Sequence, residues 1–197
     1  PHRNLFSLMK KIFFKYYLKI EEKLNSLLQF ATLGTVCDYM PLNTVENHII
    51  VKAGLNLINQ EMPYYLKLMV PKEKVEMKDI GFGIGPLLNS SGRLGQPQVS
   101  LNFLLEEEKD KVDSIYTRLK SLNDQRKKIG EKAYKEAINH IELYQKDEDV
   151  LVYHSANIIQ GLTGIIATKI VNSYKKTSFV FSVNMPIASF KKESNSP

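Results

Sequence analysis

The stretch DVLVYHSANIIQGLTGIIATKIVNSYKKTSFVFSV, residues 149–183, decides the fold class. DVLVY at 149–153 and SFVFSV at 178–183 are short runs of β-branched and aromatic residues, the signature of strands. Between them GLTGIIATKIVNSY, residues 161–174, carries apolar residues at helical spacing. Strand, helix, strand in this order requires a crossover, so the two strands are expected to be parallel with a right-handed connection. The fold class is therefore α/β. A single βαβ unit is too small to stand alone, and this lobe is expected to be incomplete within the chain.

Working outward toward the N-terminus, residues 108–145 predict one long helix. Val112, Ile115, Leu119, Leu122, Ile129, Ala133, Ala137 and Ile141 form a near-heptad stripe, weakened only by Gly130, which costs about 1 kcal/mol relative to Ala. Residues 98–105 predict a short helix. GFGIGPLLNSSGRLGQP at 81–97 has four glycines in its first twelve residues and is expected to be loop with demanding backbone geometry. Residues 60–79 hold two prolines and mixed charge, and are expected to be loop with a short helix. Helical spacing returns at 45–59. LQFATLGTVCDYMPL, residues 28–42, is apolar on all sides and is expected to lie in the interior, with Asp38 its only charge. Residues 5–27 predict a helix with an apolar stripe and a lysine-rich opposite face.

Composition narrows the function classes. The chain has 197 residues, 43% hydrophobic and 24% charged, which is ordinary for a globular protein. No apolar run is long enough to span a membrane. One cysteine, Cys37, allows no internal disulfide and no zinc cluster, which fits a reducing cytoplasm. The four histidines are scattered without metal-ligand spacing. A net charge of +6 favours a polyanionic partner without naming one.

Three places could carry chemistry. Asp38 is a lone carboxylate in an apolar segment. It is either a ligand to a hard divalent cation or a cap or ion-pair member. Arg93 sits in NSSGRLG between Gly92 and Gly95. Arginine grips phosphate through two parallel hydrogen bonds, and Asn89, Ser90 and Ser91 add small donors; the alternative is a tight turn bearing a surface arginine. Arg126 stands where the apolar stripe of the long helix should continue. Asn123, three residues earlier, is its neighbour on the helix. A polar pair in an apolar stripe needs a partner, either a substrate phosphate or a carboxylate on a packed helix. Residues 116–135 also hold seven Lys or Arg against two acidic residues.

Taken together, LGTVCDYMPLNTVENHIIVKAGL (33–55), GFGIGPLLNSSGRLG (81–95), LNDQRKKI (122–129) and HSANIIQGLTGIIATKI (154–170) resemble, in order and spacing, the RecJ exonucleases of the DHH phosphoesterase superfamily. The second segment is similar to the family's GPRxNAAGRLG, with Leu87 in place of its Arg. The third is similar to LNxxRxxI, and the fourth to the start of the DHHA1 lobe. His48 stands where the family has an Arg after Asn47.

The resemblance implies a metal-dependent, single-strand-specific 5′→3′ DNA exonuclease of DNA repair and recombination. Single-stranded DNA would lie between two lobes, and two Mn2+ or Mg2+ ions would serve the chemistry. It implies residues 1–105 as the C-terminal part of the DHH lobe, 106–146 as a connecting helix, and 147–197 as the N-terminal part of DHHA1. Asp38 matches the metal-ligand aspartate. Arg93, Asn123 and Arg126 match positions near the DNA backbone, and Asn89 and Ser91 are candidates beside them. The chain contains no Asp-His-His, so most metal ligands are expected outside it and the chain alone is expected to be inactive. A cytoplasmic monomer without membrane attachment is expected, with other DNA-repair proteins as further partners. The rivals are a DHH oligonucleotide or dinucleotide phosphodiesterase, and a non-catalytic replication scaffold derived from the same fold.

Overall fold

The computed structural model describes residues 27–183. The helix expected over 5–27 lies outside them but for its last residue. The chain divides into two compact units, with the division between Pro86 and Leu87.

The first unit is helical. Helix α1 covers residues 27–37, α2 Val45–Gln60 and α3 Tyr64–Met69; α4, Met77–Asp79, is a single turn leading into a π turn at Ile80–Ile84. Leu33, Val36, Val51, Ile58, Leu66, Val70, Val75, Ile80 and Ile84 are buried apolar residues of this unit. The buried Thr32 hydroxyl donates to the Ile50 carbonyl at 2.9 Å. Tyr65 stacks on Phe30 at 6.3 Å and donates to Gln29 Oε1, and burial raises its phenol well above the ordinary value. Asn59 holds the 71–76 connection by pairing with both the N–H and the carbonyl of Val75, at 2.8 and 3.0 Å. Lys72 reaches Asp79 at 2.6 Å, where the exposure of Lys72 keeps the contribution small.

The stretch 28–42 is not interior on all sides. Thr32, Leu33 and Val36 are buried, while Ala31, Gly34, Asp38, Tyr39, Met40 and Pro41 are exposed. The physical reason is that α1 buries one stripe only, and then ends in solvent. Its end is a Schellman motif: Tyr39 N–H donates to Val36 and Met40 N–H to Thr35, with Tyr39 at φ 53°. That left-handed position normally belongs to glycine, and a side chain there costs about 1–2 kcal/mol.

In the second unit α5, which begins at Gly85, runs on to Arg93, followed by α6 (Pro97–Leu105) and the 36-residue α7 (Lys109–Tyr144). Residues 81–95 are thus helical through Arg93 rather than loop. Apolar and small residues give this stretch a face to bury: Ile84, Ser90 and Ser91 are inaccessible to solvent. Ser90 returns its hydroxyl proton to the carbonyl three residues back, Leu87, and the Ser91 hydroxyl lies 3.2 Å from the carbonyl of Leu88. Backbone freedom is used where Gly95 at φ 75° closes the helix. There Gly95 N–H meets Gly92 and Gln96 N–H meets Ser91, the same ending that α1 makes without a glycine.

Phe103 of α6 is fully buried and stacks on Tyr116 of α7 at 5.8 Å. The stripe read from sequence is the buried face of α7: Val112, Leu119, Leu122, Ala133, Ala137 and Ile141. Its C-terminal half packs through Ala133, Ala137 and Ile141 into a core with Leu151, Tyr153, Ile158, Leu162, Ile166 and Ile170. That core belongs to the βαβ unit, observed as β1 (Val150–Ser155), a 3-10 turn (Gln160–Leu162), α8 (Thr163–Tyr174) and β2 (Thr177–Ser182). The strands are parallel, from Val150 opposite Thr177 to Ser155 opposite Ser182. The free edge of β1 is covered at Val152 by the Gln145 side-chain amide, which bonds both its N–H and its carbonyl at 2.7 Å. The chain is α/β, as read from residues 149–183. Among the described residues no helix is long and apolar enough to cross a membrane.

Tyr39 is 72% exposed, so its ring contributes little packing. Tyr39→Gly is expected to raise stability by about 1 kcal/mol, visible as a higher urea midpoint at unchanged m-value. A midpoint at or below that of the unsubstituted chain would contradict the strain assigned to this helix end.

Candidate nucleic-acid interface

Four of the candidates, Asn89, Arg93, Asn123 and Arg126, lie on α5 and α7 within the second unit. Arg93 is the last residue of α5, and its positive charge suits the negative end of the helix dipole. Its Nη1 donates to the Gly161 carbonyl at 2.9 Å, in the 3-10 turn before α8. Asn89 lies one helical turn earlier on the same face of α5 and is exposed.

Arg126 and Asn123 meet on α7 as their spacing implies. Arg126 donates from Nε at 3.1 Å and from Nη2 at 3.0 Å, both to Asn123 Oδ1. Both side chains are half-buried. Burial first, and then the positive charge of Arg93, hold Arg126 below the ordinary arginine pKa. The two guanidinium groups are therefore electrostatic neighbours. Among the described residues neither forms an ion pair with a carboxylate. Of the two partners sequence allowed for Arg126, a carboxylate on a packed helix is thus not the one found there.

Ser91 departs from expectation. It is fully buried, and its hydroxyl is engaged with the Leu88 carbonyl at 3.2 Å and with Ser100 Oγ at 2.7 Å. Ser100 in turn donates to Leu88 at 2.6 Å. Ser91 therefore joins α5 to α6, and has no free donor to offer a nucleic acid.

Asp38 also departs from expectation, in the first unit. It is exposed, as the cap residue closing α1, with its N–H bonded to the Gly34 carbonyl at 2.9 Å. Its charge is not buried, so no cation is required to compensate burial. Its position is still informative, because a carboxylate at the negative end of a helix is disfavoured there by about 0.3–1 kcal/mol and a bound cation would reverse the sign. Beside it Cys37 is half-buried; burial, and then the Asp38 charge, push its thiol up. Among the described residues no group of three or more His, Cys, Asp or Glu could hold a metal ion. Asp38 alone fits as one ligand, not as a site.

The residue that sequence reasoning missed is Gly161. It opens a predicted helix, but its contact with Arg93 spans 68 positions and no spacing rule reports it. A cavity of about 370 Å³ opens beside that turn, lined by Gln160, Thr163, Val180, Phe181 and Ser182. It lies at the C-terminal end of β2, the side on which parallel sheets receive ligands.

No family profile matches the chain. Its α/β fold, with a long helix leading into a βαβ unit, is that of solved RecJ structures. The structure of RecJ from Thermus thermophilus in complex with Mg2+ superposes with a TM-score of 0.70 at 23% identity, over 79% of this chain and 25% of that one. An exonuclease RecJ bound to manganese gives 0.67 at 23% identity, over 79% and 40%. In sequence, the single-stranded-DNA-specific exonuclease RecJ of Bacillus subtilis is 27% identical over 165 residues. That alignment covers 81% of this chain and 21% of that protein. Its counterpart in Haemophilus influenzae is 30% identical over 166 residues, 79% of this chain and 29% of that protein. The chain is RecJ-like, as the four segments implied, and it spans between a fifth and a third of the length of these two relatives.

Arg126 interrupts an apolar stripe and feels the like charge of Arg93. Arg126→Met is expected to raise the stability of the chain by about 1 kcal/mol in a urea titration, since an apolar group then continues the stripe. Destabilisation by more than that amount would mean that Arg126 is held for structure.

Proposed function

We propose that this chain contributes the phosphate-gripping part of a metal-dependent, single-strand-specific DNA exonuclease, acting 5′→3′ as the RecJ resemblance implies. The observation that carries the proposal is the pair Arg93 and Arg126. Two neighbouring, half-buried guanidinium groups repel one another, and an anion between them relieves that cost. A phosphodiester is such an anion, and arginine forks match its oxygens. Asn123 fixes the plane of Arg126, and Asn89 stands on the approach along α5. Contacts of this kind position a backbone without reading bases, which suits an enzyme indifferent to sequence.

Asp38 supplies one ligand to a two-ion site for Mn2+ or Mg2+ in this proposal, and the other ligands come from residues outside those described. Bound there, such ions would supply an activated water and stabilisation of charge on the phosphoryl oxygens. This chain's own part is narrower: Arg93 and Arg126 bind and orient the strand, and Asn123 keeps one of them in register. The DHH and DHHA1 lobes, with the long helix 106–146 joining them, DNA repair and recombination as the setting, a cytoplasmic location and a monomeric state belong to the same proposal.

Binding of a 5′-phosphorylated thymidine strand to the 197-residue chain, followed by fluorescence anisotropy against salt, tests the grip. Each phosphate contact on a single strand contributes about 0.7 to the slope of log K against log salt. Arg93→Ala and Arg126→Ala are each expected to lower that slope by about 0.7. Unchanged slopes would remove the grip. A second outcome concerns the metal. One carboxylate cannot hold two divalent cations, so the chain alone is expected to hydrolyse no DNA with Mn2+. Mn2+-dependent hydrolysis by the chain, abolished by Asp38→Asn, would overturn that assignment of ligands.

A further inference from the structure

We infer that Gly161 is a positioning residue for phosphate binding: its carbonyl and its missing side chain together set the orientation of the Arg93 guanidinium. This rests on the proposal that Arg93 grips a phosphate.

The geometry has two parts. The first is the hydrogen bond from Arg93 Nη1 to the Gly161 carbonyl at 2.9 Å. A guanidinium carries five N–H donors in a rigid plane. One bond to a fixed carbonyl sets that plane, and among the described residues the remaining donors of Arg93 find no acceptor. They are left for a ligand. The second part is steric. A Cβ on residue 161 would stand 2.4 Å from the Arg93 carbonyl oxygen, 2.8 Å from its Cα and 2.9 Å from its carbonyl carbon. Those are backbone atoms, which cannot swing aside as a side-chain tip can. Only glycine lets the turn approach Arg93 this closely.

The turn itself is anchored. Leu162 and Ile158, on either side of Gly161, are buried in the core shared by α7, α8 and β1. The lobe built by the βαβ unit therefore dictates where an arginine of α5 can point. Arg126 then lies close enough to feel the Arg93 charge. Any side chain at 161 would move Arg93 away from that placement.

The test uses the 197-residue chain and the same 5′-phosphorylated thymidine strand, with melting curves to establish that each variant is folded. Gly161→Ala is expected to lower the salt slope by about 0.7, as Arg93→Ala does. The double variant is expected to bind no more weakly than Arg93→Ala alone, because both changes remove one contact. A full slope in Gly161→Ala, or losses that add in the double variant, would overturn the inference. If Arg93→Ala itself leaves the slope unchanged, the phosphate grip fails and Gly161 loses its role with it. If only Gly161→Ala leaves it unchanged, the grip stands and the inference alone falls. Should Gly161→Ala not fold, Arg93→Lys decides. An ammonium cannot hold the carbonyl and fork a phosphate at once, so the slope is expected to fall by about 0.7, and a full slope would overturn the inference.

Discussion

Arg93 and Arg126, two like charges that feel one another and that among the described residues form no ion pair with a carboxylate, constrain the site. Arg126 occupies a position on α7 that the apolar stripe would otherwise fill, and Arg93 adds its charge to the cost of that burial. A fold that needed only a long packed helix would place a leucine there. Asn123 offsets part of the cost by accepting two hydrogen bonds from Arg126, but it carries no charge and cannot neutralise the pair. The Gly161 carbonyl does the same for Arg93. Each arginine is thus oriented by a neutral acceptor and, among the described residues, meets no carboxylate, the arrangement that favours a bound anion.

The scaffold explains how such a pair is sustained. Ala133 and Ala137 let α7 lie close to the βαβ core, and Ile141 continues that contact, so α7 is held along its C-terminal half. At its other half Phe103 and Tyr116 stack α6 against it, and the Ser91–Ser100 hydroxyl pair binds α6 to α5. The three elements that carry Arg93, Arg126 and Gly161 are each fixed by packing away from the site.

Much of this was legible in the sequence. Runs of β-branched and aromatic residues and a helical periodicity in residues 149–183 pointed to the parallel βαβ unit, and the stripe from Val112 to Ile141 located α7 nearly to the residue. The Asn123–Arg126 contact followed from a spacing of three on a helix. Other features were hidden for physical reasons. The glycines of 81–95 suggested loop, but burial of Ile84, Ser90 and Ser91 overrides the weak helix propensity of glycine. The apolar composition of 28–42 suggested an interior segment, yet a helix needs only one buried stripe, and its end leaves Asp38 in solvent. Ser91 looked like a donor because its hydroxyl was free on paper; Ser100, nine residues away, takes it. Gly161 was invisible because a contact across 68 positions leaves no periodic trace.

The central claim is that Arg93 and Arg126 form one anion site, and arginine side-chain NMR reaches it directly. Titration of the chain with a 5′-phosphorylated oligonucleotide, observed at the Nε–H resonances, should move the signals of Arg93 and Arg126 together along a single saturable curve, with Arg118 as an exposed reference bonded to Gln96. If Arg93 and Arg126 stay in place while lysine signals shift, or if the two follow separate curves, the strand is held elsewhere and the paired-arginine site does not exist.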